Sequence, residues 1–426
     1  MKITSIYSKF IQGAPICTDT RKVTKGCIFF ALKGDNFNGN SFAEEAINNG
    51  ALLSVIDDES FYTLKDSMIL VQDVLKTLQS LATHHREQLN IPIISLTGSN
   101  GKTTTKELIN AVLSKKYNTT ATQGNLNNHI GVPLTLLSMS SDTEIGIVEM
   151  GANHLKEIEL LSKISLPDYG YITNFGKAHI EGFGSLEGVV KGKTELYKYL
   201  KEENKIAFIN TNDERQVIES TNLDKVTFGS GNSDYTIELL DASNVVKVKY
   251  NNVDITSNLI GLYNFNNIAA AIAIGVFFKV SENKIKEAIE DYIPTNNRSQ
   301  RIEKKGHNII LDAYNANPTS MMAAIKNFEQ SEGINKVLFL GDMFELGDTA
   351  KEEHQIVTDY LSKNKIGNTY LIGTNFFKTS TEAAHVNLFK TFEDLKEFIA
   401  NLQLKKCTIL IKASRGMALE RIVELL

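Results

Sequence analysis

Residues 95–109 read SLTGSNGKTTTKELI and bring glycines, lysines and several hydroxyl groups into one short segment. Such a segment binds phosphate when it leaves a strand and enters a helix, because backbone N–H groups and the helix dipole then face the anion. The usual motif has a glycine five residues before the glycine of Gly-Lys-Thr, but Leu96 occupies that place and the glycine is displaced to Gly98. The segment is either a phosphate site of an unusual family or an ordinary loop that contains Gly-Lys-Thr.

The order of strand, glycines, lysine, hydroxyls and helix favours the phosphate site. Gly98 and Gly101 would let the backbone approach the phosphates. Lys102 would reach the β and γ phosphates, and Thr103 would hold Mg²⁺. The predicted nucleotide-binding residues of this segment are Gly98, Asn100, Gly101, Lys102, Thr103 and Thr104.

A second group of candidate residues follows two apolar strands. Glu149 ends the strand IGIVE, where a carboxylate points over the carboxyl edge of a parallel sheet and offers oxygen ligands to Mg²⁺. The alternative is a solvated glutamate at a strand end. His179, in NFGKAHIEGFG, also follows a strand, although such a histidine is by itself more often a surface loop residue. We interpret His154, on the helix after Glu149, as a helix-start residue.

The segment VVKGKTELY contains Lys191 and Lys193, which are two positions apart and therefore point in different directions on a helix. Only one of them can face a metal site. The alternative for both is a solvent-facing helix lysine.

Alternating short apolar strands and helix-length stretches must position these residues, and they predict an α/β fold of parallel sheets covered by helices. In the central part, strands are predicted at IPIISLT, IGIVEM and YGYITN, with a helix over 103–116. Residues 235–259 predict an inserted β-hairpin around Asn-Asn, before a helix that starts near Asn264. After a polar linker at 294–300, a smaller α/β domain is predicted from NIILDAY, KVLFLGD, TYLIG and TILIKA.

Composition sets the wider limits. The chain has 426 residues, of which 42% are hydrophobic, and a formal net charge of −5, so charge gives no reason to expect a nucleic acid or an anionic membrane as partner. Three cysteines without a Cys-x-x-Cys pair argue against a disulfide framework and a zinc site and favour the cytoplasm. The first 15 residues lack a signal-peptide core, and the apolar run at 268–278 is too short to span a bilayer.

The phosphate segment resembles the Thr-Gly-x-x-Gly-Lys-Thr loop of the Mur ligase family, which lacks the earlier glycine. DAYNANPTSM at 312–321 and LGDMFELG at 340–347 resemble that family most specifically, and TDTRKVTKGCIFFALKG at 18–34 resembles its N-terminal UDP-sugar domain. The Asp-Asn-Pro-Arg motif of the preceding ligase in the family is absent from this sequence. These details are closest to the member that joins D-alanyl-D-alanine to UDP-N-acetylmuramoyl-tripeptide.

The resemblance implies three domains. These are an N-terminal UDP-MurNAc-binding α/β domain at 1–88, a central parallel-sheet ATPase domain at 89–296, and a C-terminal Rossmann-like domain at 297–426 that receives the amino dipeptide. It also implies a cytoplasmic, ATP-dependent and Mg²⁺-dependent amide ligase of peptidoglycan precursor synthesis, which activates a carboxylate as an acyl phosphate. We expect a monomer with no nucleic acid partner and no membrane insertion.

Several alternatives stay open. The third residue of the tripeptide is diaminopimelate or lysine. A sister ligase would add one amino acid to a muramyl or folyl chain, and a non-catalytic nucleotide-binding protein would bind ATP without forming an amide.

The resemblance assigns roles to the central residues. Glu149 matches a Mg²⁺ ligand, His179 matches a ligand of a second Mg²⁺, and Lys193 matches a lysine that carries a carbamate. Lys102, His179 and Lys193 are therefore the expected catalytic residues. Asn264 matches an adenine-binding residue, although Asn is also a good helix cap. Tyr263 stands where many members of the family have histidine.

The resemblance also reaches the predicted domain junction. Arg301 matches an arginine that contacts the nucleotide, with Arg298 as a nearby rival. Asp312 matches an acidic residue on the ATP ribose, and Asn315 follows it as a further candidate. Asn317 could equally be only the helix cap before a proline.

The outer domains carry the other substrates. Between a strand and a helix, Ser414 and Arg415 could offer donors to the dipeptide carboxylate. The UDP-sugar would be held by Asp19, Thr20, Arg21 and the loop from Lys33 to Phe42, for which the alternative is a set of turns between strands.

Overall fold

The computed structural model describes residues 2–295, 297–402 and 404–426. Asn296, in the predicted linker 294–300, lies outside them. The described residues fall into two compact units, one drawn from Met1–Ser95, Tyr117–Gly151 and Glu157–Tyr169, the other from Leu96–Lys116, Ala152–Lys156 and Gly170–Leu426.

Helices and strands alternate along most of the described chain. The helices are α1 (Lys2–Ile11), α2 (Ala43–Asn48), α3 (Val74–Leu89), α4 (Lys102–Leu113), α5 (Gly131–Leu137), α6 (Glu157–Ser165), α7 (Ile180–Phe183), α8 (Leu186–Lys193), α9 (Glu195–Glu202), α10 (Glu214–Glu219), α11 (Asn264–Phe277), α12 (Glu282–Asp291), α13 (Pro318–Gln330), α14 (Ala350–Lys363), α15 (Phe392–Ala400) and α16 (Ile422–Leu425). The strands are β1 (Ile16–Cys17), β2 (Ile28–Phe30), β3 (Lys33–Gly34), β4 (Phe37–Asn38), β5 (Leu53–Ile56), β6 (Met68–Leu70), β7 (Ile93–Thr97), β8 (Thr119–Ala121), β9 (Ile145–Glu149), β10 (Tyr169–Ile172), β11 (Ile206–Asn210), β12 (Lys225–Gly229), β13 (Tyr235–Asp241), β14 (Lys247–Tyr250), β15 (Val253–Thr256), β16 (Gln300–Lys304), β17 (His307–Asp312), β18 (Val337–Gly341), β19 (Asn368–Ile372), β20 (Val386–Phe389) and β21 (Thr408–Lys412).

The first unit contains a four-stranded parallel sheet in the order β1-β2-β5-β6. Its core includes Phe29 and Met68, each 2% exposed. In the same unit, β8 pairs with β9 in parallel, and α3 packs against α5 and α6. Leu78 and Leu81 of α3 are fully buried.

The second unit begins with the end of β7 and α4. Its strands β11, β12 and β13 pair in parallel, whereas β13, β14 and β15 pair antiparallel. The hairpin of β14 and β15 turns at Asn251 and Asn252, as predicted. Helix α11 is buried along most of its length and packs against α4. A helix that is apolar all round needs such burial.

The C-terminal part of the second unit is a six-stranded sheet in the order β16-β17-β21-β18-β19-β20, with β16 antiparallel and the other pairings parallel. Successive strand residues enter separate buried clusters, as Phe339 and Leu340 do, because side chains alternate between the two faces of a sheet. The α/β fold and the four strands predicted here are confirmed. None of the described helices combines the length and the apolar character that a membrane span requires.

The prediction for His154 is wrong. It lies in a bend, and α6 begins only at Glu157. Lys156 has φ +70°, which a right-handed helix does not allow, and its N–H donates to Glu195 Oε1 at 2.6 Å. The helix therefore cannot extend back to His154.

Candidate active site

The phosphate loop, residues 97–103, leaves β7 and enters α4, which confirms the predicted context. Gly98 and Gly101 have φ of +140° and +79°. A Cβ on Gly98 would lie 2.0 Å from Thr173 Oγ1, and one on Gly101 would lie 2.5 Å from Asn267 Oδ1. Both positions therefore require glycine, for backbone conformation and for space.

Residues that follow β10 hold the phosphate loop through hydrogen bonds. Asn100 N–H donates to Asn174 Oδ1 at 3.1 Å, and the Asn100 carbonyl accepts from Thr173 Oγ1 at 2.6 Å and from Asn174 Nδ2 at 2.9 Å. The Ser99 hydroxyl donates to the Gly176 carbonyl at 2.8 Å. The sequence prediction missed Thr173 and Asn174, for which polar residues at the end of YGYITN were the available signal.

Lys102 lies at the start of α4 and is partly buried. Its Nζ donates to the carbonyls of Gly98 at 2.7 Å and Ser99 at 3.3 Å, so the ammonium group lies over the loop. Thr103 is 5% exposed, and Thr104 is partly buried. The structure thus brings the predicted lysine and hydroxyls together with the two glycines.

A chain of buried amides links α4 to the start of α11. Thr105 Oγ1 donates to Asn267 Oδ1 at 3.0 Å, and Asn267 Nδ2 donates to Asn264 Oδ1 at 2.7 Å. Asn264 Nδ2 donates to the Ile260 carbonyl at 2.8 Å. Asn264 is the first residue of α11. Its side chain therefore bonds to the segment before the helix and does not cap the helix.

Asp312 ends β17 and has a partner on each carboxylate oxygen. Oδ1 accepts from Ser299 N–H at 3.1 Å, and Oδ2 forms an ion pair with Lys412, which is 2% exposed. Tyr263 Oη lies 2.9 Å from Ser299 Oγ. Burial of its hydroxyl, with the nearby Asp312 carboxylate, raises the pKa of Tyr263. The tyrosine that departs from the family pattern therefore reaches Asp312 through Ser299.

The two candidate arginines have different partners. Arg301 donates from Nη2 to the carbonyl and to Oδ1 of Asn244, both at 2.7 Å, and burial lowers its pKa. The Arg298 guanidinium lies 3.7 Å from the centre of the Tyr314 ring. Asn315 is exposed next to that tyrosine.

Asn317 has two contacts. Its Oδ1 accepts from Ser320 N–H at 2.9 Å, which caps α13 as the alternative interpretation expected. Its Nδ2 donates to Asn100 Oδ1 at 2.7 Å, so the cap also contacts the phosphate loop.

The histidine segment, residues 177–193, carries three candidates of the second unit, His179, Lys191 and Lys193. His179 precedes α7 with φ +54°. Its Nδ1 lies 2.5 Å from Glu345 Oε2. This close contact with His179 lowers the pKa of Glu345, although Nδ1 of His179 makes no hydrogen bond of acceptable geometry. The sequence prediction missed Glu345, although it lies inside the LGDMFELG motif.

The structure separates the two lysines at the end of the histidine segment. Lys193 is fully buried, its Nζ donates to the Ala152 carbonyl at 3.0 Å, and it lies 5.1 Å from the centre of the Phe183 ring. Lys191 is exposed. Lys193 is thus not the solvent-facing helix lysine that the alternative interpretation described.

Glu149 belongs to the first unit and is 1% exposed, so it is not a solvated glutamate. Its Oε1 accepts from Asn127 Nδ2 at 2.8 Å, and its N–H donates to Thr122 Oγ1 at 2.9 Å. Within the described residues, no three His, Cys, Asp or Glu side chains cluster as metal ligands.

The predicted UDP-sugar residues form a small capped turn in the first unit. The Asp19 side chain accepts from Arg21 N–H at 3.1 Å and so begins a short 3₁₀ helix that includes Thr20. Hydrogen bonding from Arg21 lowers the pKa of Asp19 to about 2. The Arg21 side chain is 86% exposed.

The predicted dipeptide residues follow β21. Ser414 is 2% exposed, and its Oγ accepts from Phe344 N–H at 2.9 Å and donates to the Ala316 carbonyl at 3.2 Å. Arg415 is exposed and pairs with Glu420 at 2.9 Å. Ser414 thus connects the two motifs DAYNANPTSM and LGDMFELG.

A cavity of about 320 Å³ adjoins the histidine segment. Asn174 and Gly176 line it and also hydrogen-bond the phosphate loop. The other lining residues are Phe175, Leu186, Glu187, Val190, Asp213, Arg215 and Thr319.

Comparison with known proteins covers nearly the whole chain. The Mur ligase family catalytic domain matches residues 15–86, the Mur ligase middle domain matches 96–275, and the glutamate ligase domain matches 297–415. The UDP-N-acetylmuramoyl-tripeptide--D-alanyl-D-alanine ligase of Bacillus subtilis is 38% identical, with 96% of this chain and 92% of the relative covered. The enzyme of that name from Escherichia coli is 33% identical, with 100% and 97% covered.

Solved structures agree. MurF from Acinetobacter baumannii has a TM-score of 0.87 at 30% identity, with 99% of this chain and 98% of that chain covered. MurF ligase from Thermotoga maritima in complex with ADP has a TM-score of 0.85 at 27% identity, with 98% and 97% covered. Together with the glycine-bearing phosphate loop and the buried Lys193, these similarities show that the chain belongs to the Mur ligase family.

Proposed function

We propose that this protein joins D-alanyl-D-alanine to UDP-N-acetylmuramoyl-tripeptide and, in doing so, cleaves ATP to ADP and phosphate. The full-length similarity to ligases of that name supports this substrate pair over single amino acids. The observation that carries the proposal is the phosphate loop, in which two glycines with positive φ bring the backbone and Lys102 to one place.

ATP would bind at the phosphate loop, and the Thermotoga maritima relative is a complex with ADP. The N–H groups at the start of α4 would face the phosphates. Lys102 Nζ would exchange the Gly98 and Ser99 carbonyls for phosphate oxygens and neutralise charge during transfer. Asp312 and Asn264 would contact the ribose and the base.

An amine cannot displace oxygen from a carboxylate, so the carboxylate must first be activated. A substrate carboxylate oxygen would attack the γ-phosphorus of ATP, the bond from that phosphorus to the ADP oxygen would break, and an acyl phosphate would form. The dipeptide amine would attack the acyl carbon and lose a proton, and phosphate would leave. Holding ATP and both substrates together supplies much of the rate.

The oxygen donors among the predicted ligands are of the kind that Mg²⁺ prefers. Glu149 provides a buried carboxylate with one oxygen oriented by Asn127, and Thr103 provides a hydroxyl. His179 provides an imidazole nitrogen. Lys193 is a donor only as an amine, so it fits a metal site only after carbamylation. When bound, the ion would neutralise phosphate charge in transfer.

The outer regions would receive the other groups. We infer that Ser414 and Arg415 meet the dipeptide carboxylate and that the turn at Asp19 meets the UDP-sugar. The three cysteines are free and buried, which fits the cytoplasmic location that we propose.

Phosphate release with UDP-muramyl-tripeptide, with and without D-alanyl-D-alanine, tests the function. We expect release that depends on the dipeptide and equals the amide formed. Release that depends equally on a single amino acid would favour a sister ligase. Nucleotide binding without any dipeptide-dependent release would favour a non-catalytic protein.

A further inference from the structure

Lys412 is a lysine in the interior of a sheet, where a charged side chain needs a partner. It ends β21, which lies between β17 and β18, and it is 2% exposed. Lysine is almost never so deeply buried unless it is paired. Its Nζ donates to Asp312 Oδ2, so the Asp312 carboxylate is the partner that permits this burial.

The sheet itself brings the two side chains together. Asp312 and Lys412 are direct partners in the parallel pairing of β17 and β21, and each is the last residue of its strand. They therefore lie at the carboxyl edge of the sheet, where parallel α/β folds bind ligands. The Asp312 side chain is 17% exposed, so part of it remains open to a ligand, whereas Lys412 is shielded from solvent.

A second donor fixes the other oxygen of the Asp312 carboxylate. Oδ1 accepts from Ser299 N–H at 3.1 Å, and Ser299 is 5% exposed with a left-handed backbone of φ +50°. The Ser299 hydroxyl lies 2.9 Å from Tyr263 Oη. The two donors give the carboxylate a defined orientation, and each oxygen keeps a lone pair for a further donor.

These contacts lead to the phosphate loop. Tyr263 directly precedes Asn264, whose Oδ1 accepts from Asn267 Nδ2 at 2.7 Å. The Asn267 side chain fills the space beside Gly101 of the loop, because a Cβ on that glycine would lie 2.5 Å from Asn267 Oδ1. The residues that orient the Asp312 carboxylate are thus connected to residues that pack on the phosphate loop.

We propose that Lys412 is a positioning residue that holds the Asp312 carboxylate ready to accept hydrogen bonds from the ribose hydroxyls of the nucleotide. A carboxylate accepts and does not donate, so hydroxyl groups are donors that match it. Lys412 also compensates the Asp312 charge, which would otherwise repel the phosphates of the nucleotide. Lys412 itself touches no ligand in this role. The inference rests on the proposed function for the presence of a nucleotide at the phosphate loop.

Nucleotide binding tests this role without the ligation reaction. Calorimetric titration of the full chain with Mg²⁺ gives the Kd of ADP, 2′-deoxy-ADP and 3′-deoxy-ADP, and the ratios of these Kd values show how strongly each hydroxyl is bound. The variants are Lys412→Met, Asp312→Asn and the double variant. Lys304→Met is the matched control, since Lys304 also ends a strand of this sheet but donates to the Val423 carbonyl at 2.6 Å.

We expect the parent and Lys304→Met proteins to bind ADP at least about 10-fold more tightly than one of the two deoxy nucleotides, because a hydrogen bond to a charged group is lost. In Lys412→Met this ratio should fall below about 3-fold, since the carboxylate is no longer held. In the ligation assay of Lys412→Met, KM for ATP should rise by roughly 10-fold, while KM for UDP-muramyl-tripeptide stays within about 2-fold.

The double variant shows whether Lys412 acts through Asp312. In the Asp312→Asn background, Lys412→Met should change the Kd of ADP by less than about 2-fold, because the effects of two groups in one contact do not add. If Lys412→Met alone does not fold, as judged by circular dichroism, this comparison decides, since the double variant leaves no member of the ion pair buried without its partner.

The proposal is overturned if Lys412→Met still distinguishes ADP from the deoxy nucleotides as the parent does, or if the parent does not distinguish them. A large further loss of ADP affinity in the double variant, or an equal loss of discrimination in Lys304→Met, would also contradict it. A parent that binds ADP but shows no dipeptide-dependent phosphate release would instead contradict the proposed function, and the Kd ratios would still decide the role of Lys412.

Discussion

The phosphate loop and the histidine segment are both held by polar contacts, but their partners lie in different parts of the chain. Asn100 and Ser99 are held by Thr173, Asn174 and Gly176, which follow β10. The histidine segment is held by partners such as Glu345 and Glu353 in the C-terminal part. The phosphate loop thus depends mainly on residues that follow β10, whereas Lys177 and His179, at the start of the histidine segment, contact residues that follow α13.

Because of this difference, we expect substitutions at the phosphate loop and at the histidine segment to have different effects. A change in the phosphate loop should remove chemistry or destabilise the fold around β7. A change at the partners of the histidine segment should leave the loop formed and alter only how His179 is held.

The largest effect is expected from Lys102→Ala. The lysine is only partly buried at the start of α4 and its ammonium group donates to two loop carbonyls, so the protein should fold while ligation falls by roughly 10³-fold or more. Phosphate release and circular dichroism measure the two effects, with the exposed Lys191→Ala as control. Near-normal turnover of Lys102→Ala would remove the phosphate loop from the proposed mechanism.

Lys193→Ala should follow, with a loss of roughly 10²- to 10³-fold. If Lys193 carries a carbamate, its loss removes an anion beside Mg²⁺, and acetate can enter the vacated space and restore part of the rate. Turnover is measured against acetate concentration. An unmodified lysine predicts no rescue or inhibition, and rescue of Lys191→Ala alone would show that the other lysine is the modified one.

Gly98→Ala should mainly reduce stability, by about 2–4 kcal/mol, because its Cβ would meet Thr173 Oγ1 at 2.0 Å and its φ is +140°. Chemical denaturation measures this change. Gly231→Ala is the matched control, since a Cβ there meets nothing within 4 Å. Equal stability of the two variants would contradict the tight support of the phosphate loop.

The smallest effect is expected from Lys177→Ala. Its ion pair with Glu353 is at 2.6 Å, but the lysine side chain is 47% exposed, so the loss should be below about 1 kcal/mol and should shrink in high salt. Thermal melts at two salt concentrations measure it. A larger loss that salt does not change would mean that the histidine segment is held more firmly than its exposure suggests.

The sequence predicted what is local. The phosphate loop, its flanking strand and helix, and the hairpin at Asn251 follow from contiguous patterns. The difference between Lys191 and Lys193 also followed, since two positions on a helix cannot face the same way.

What the sequence did not predict depends on distant pairs. Nothing in the spacing indicates that Glu345 meets His179 or that Lys412 meets Asp312, because the partners lie more than a hundred positions apart or on separate strands. The error at His154 has a local cause, since the left-handed conformation of Lys156 prevents α6 from beginning earlier. Hydrophobic periodicity does not report the sign of φ.

The packing of α11 on α4 has a consequence for motion. Gly275 of α11 is so close to α4 that a Cβ there would lie 2.4 Å from Val112 Cγ1, and Leu108 and Ile109 of α4 are fully buried. Amide protons in such a pair exchange with solvent only through large openings. The amides of α4 and α11 should therefore be among the slowest to take up deuterium even before any ligand binds. The amides of the turn at Asp19 should be among the fastest.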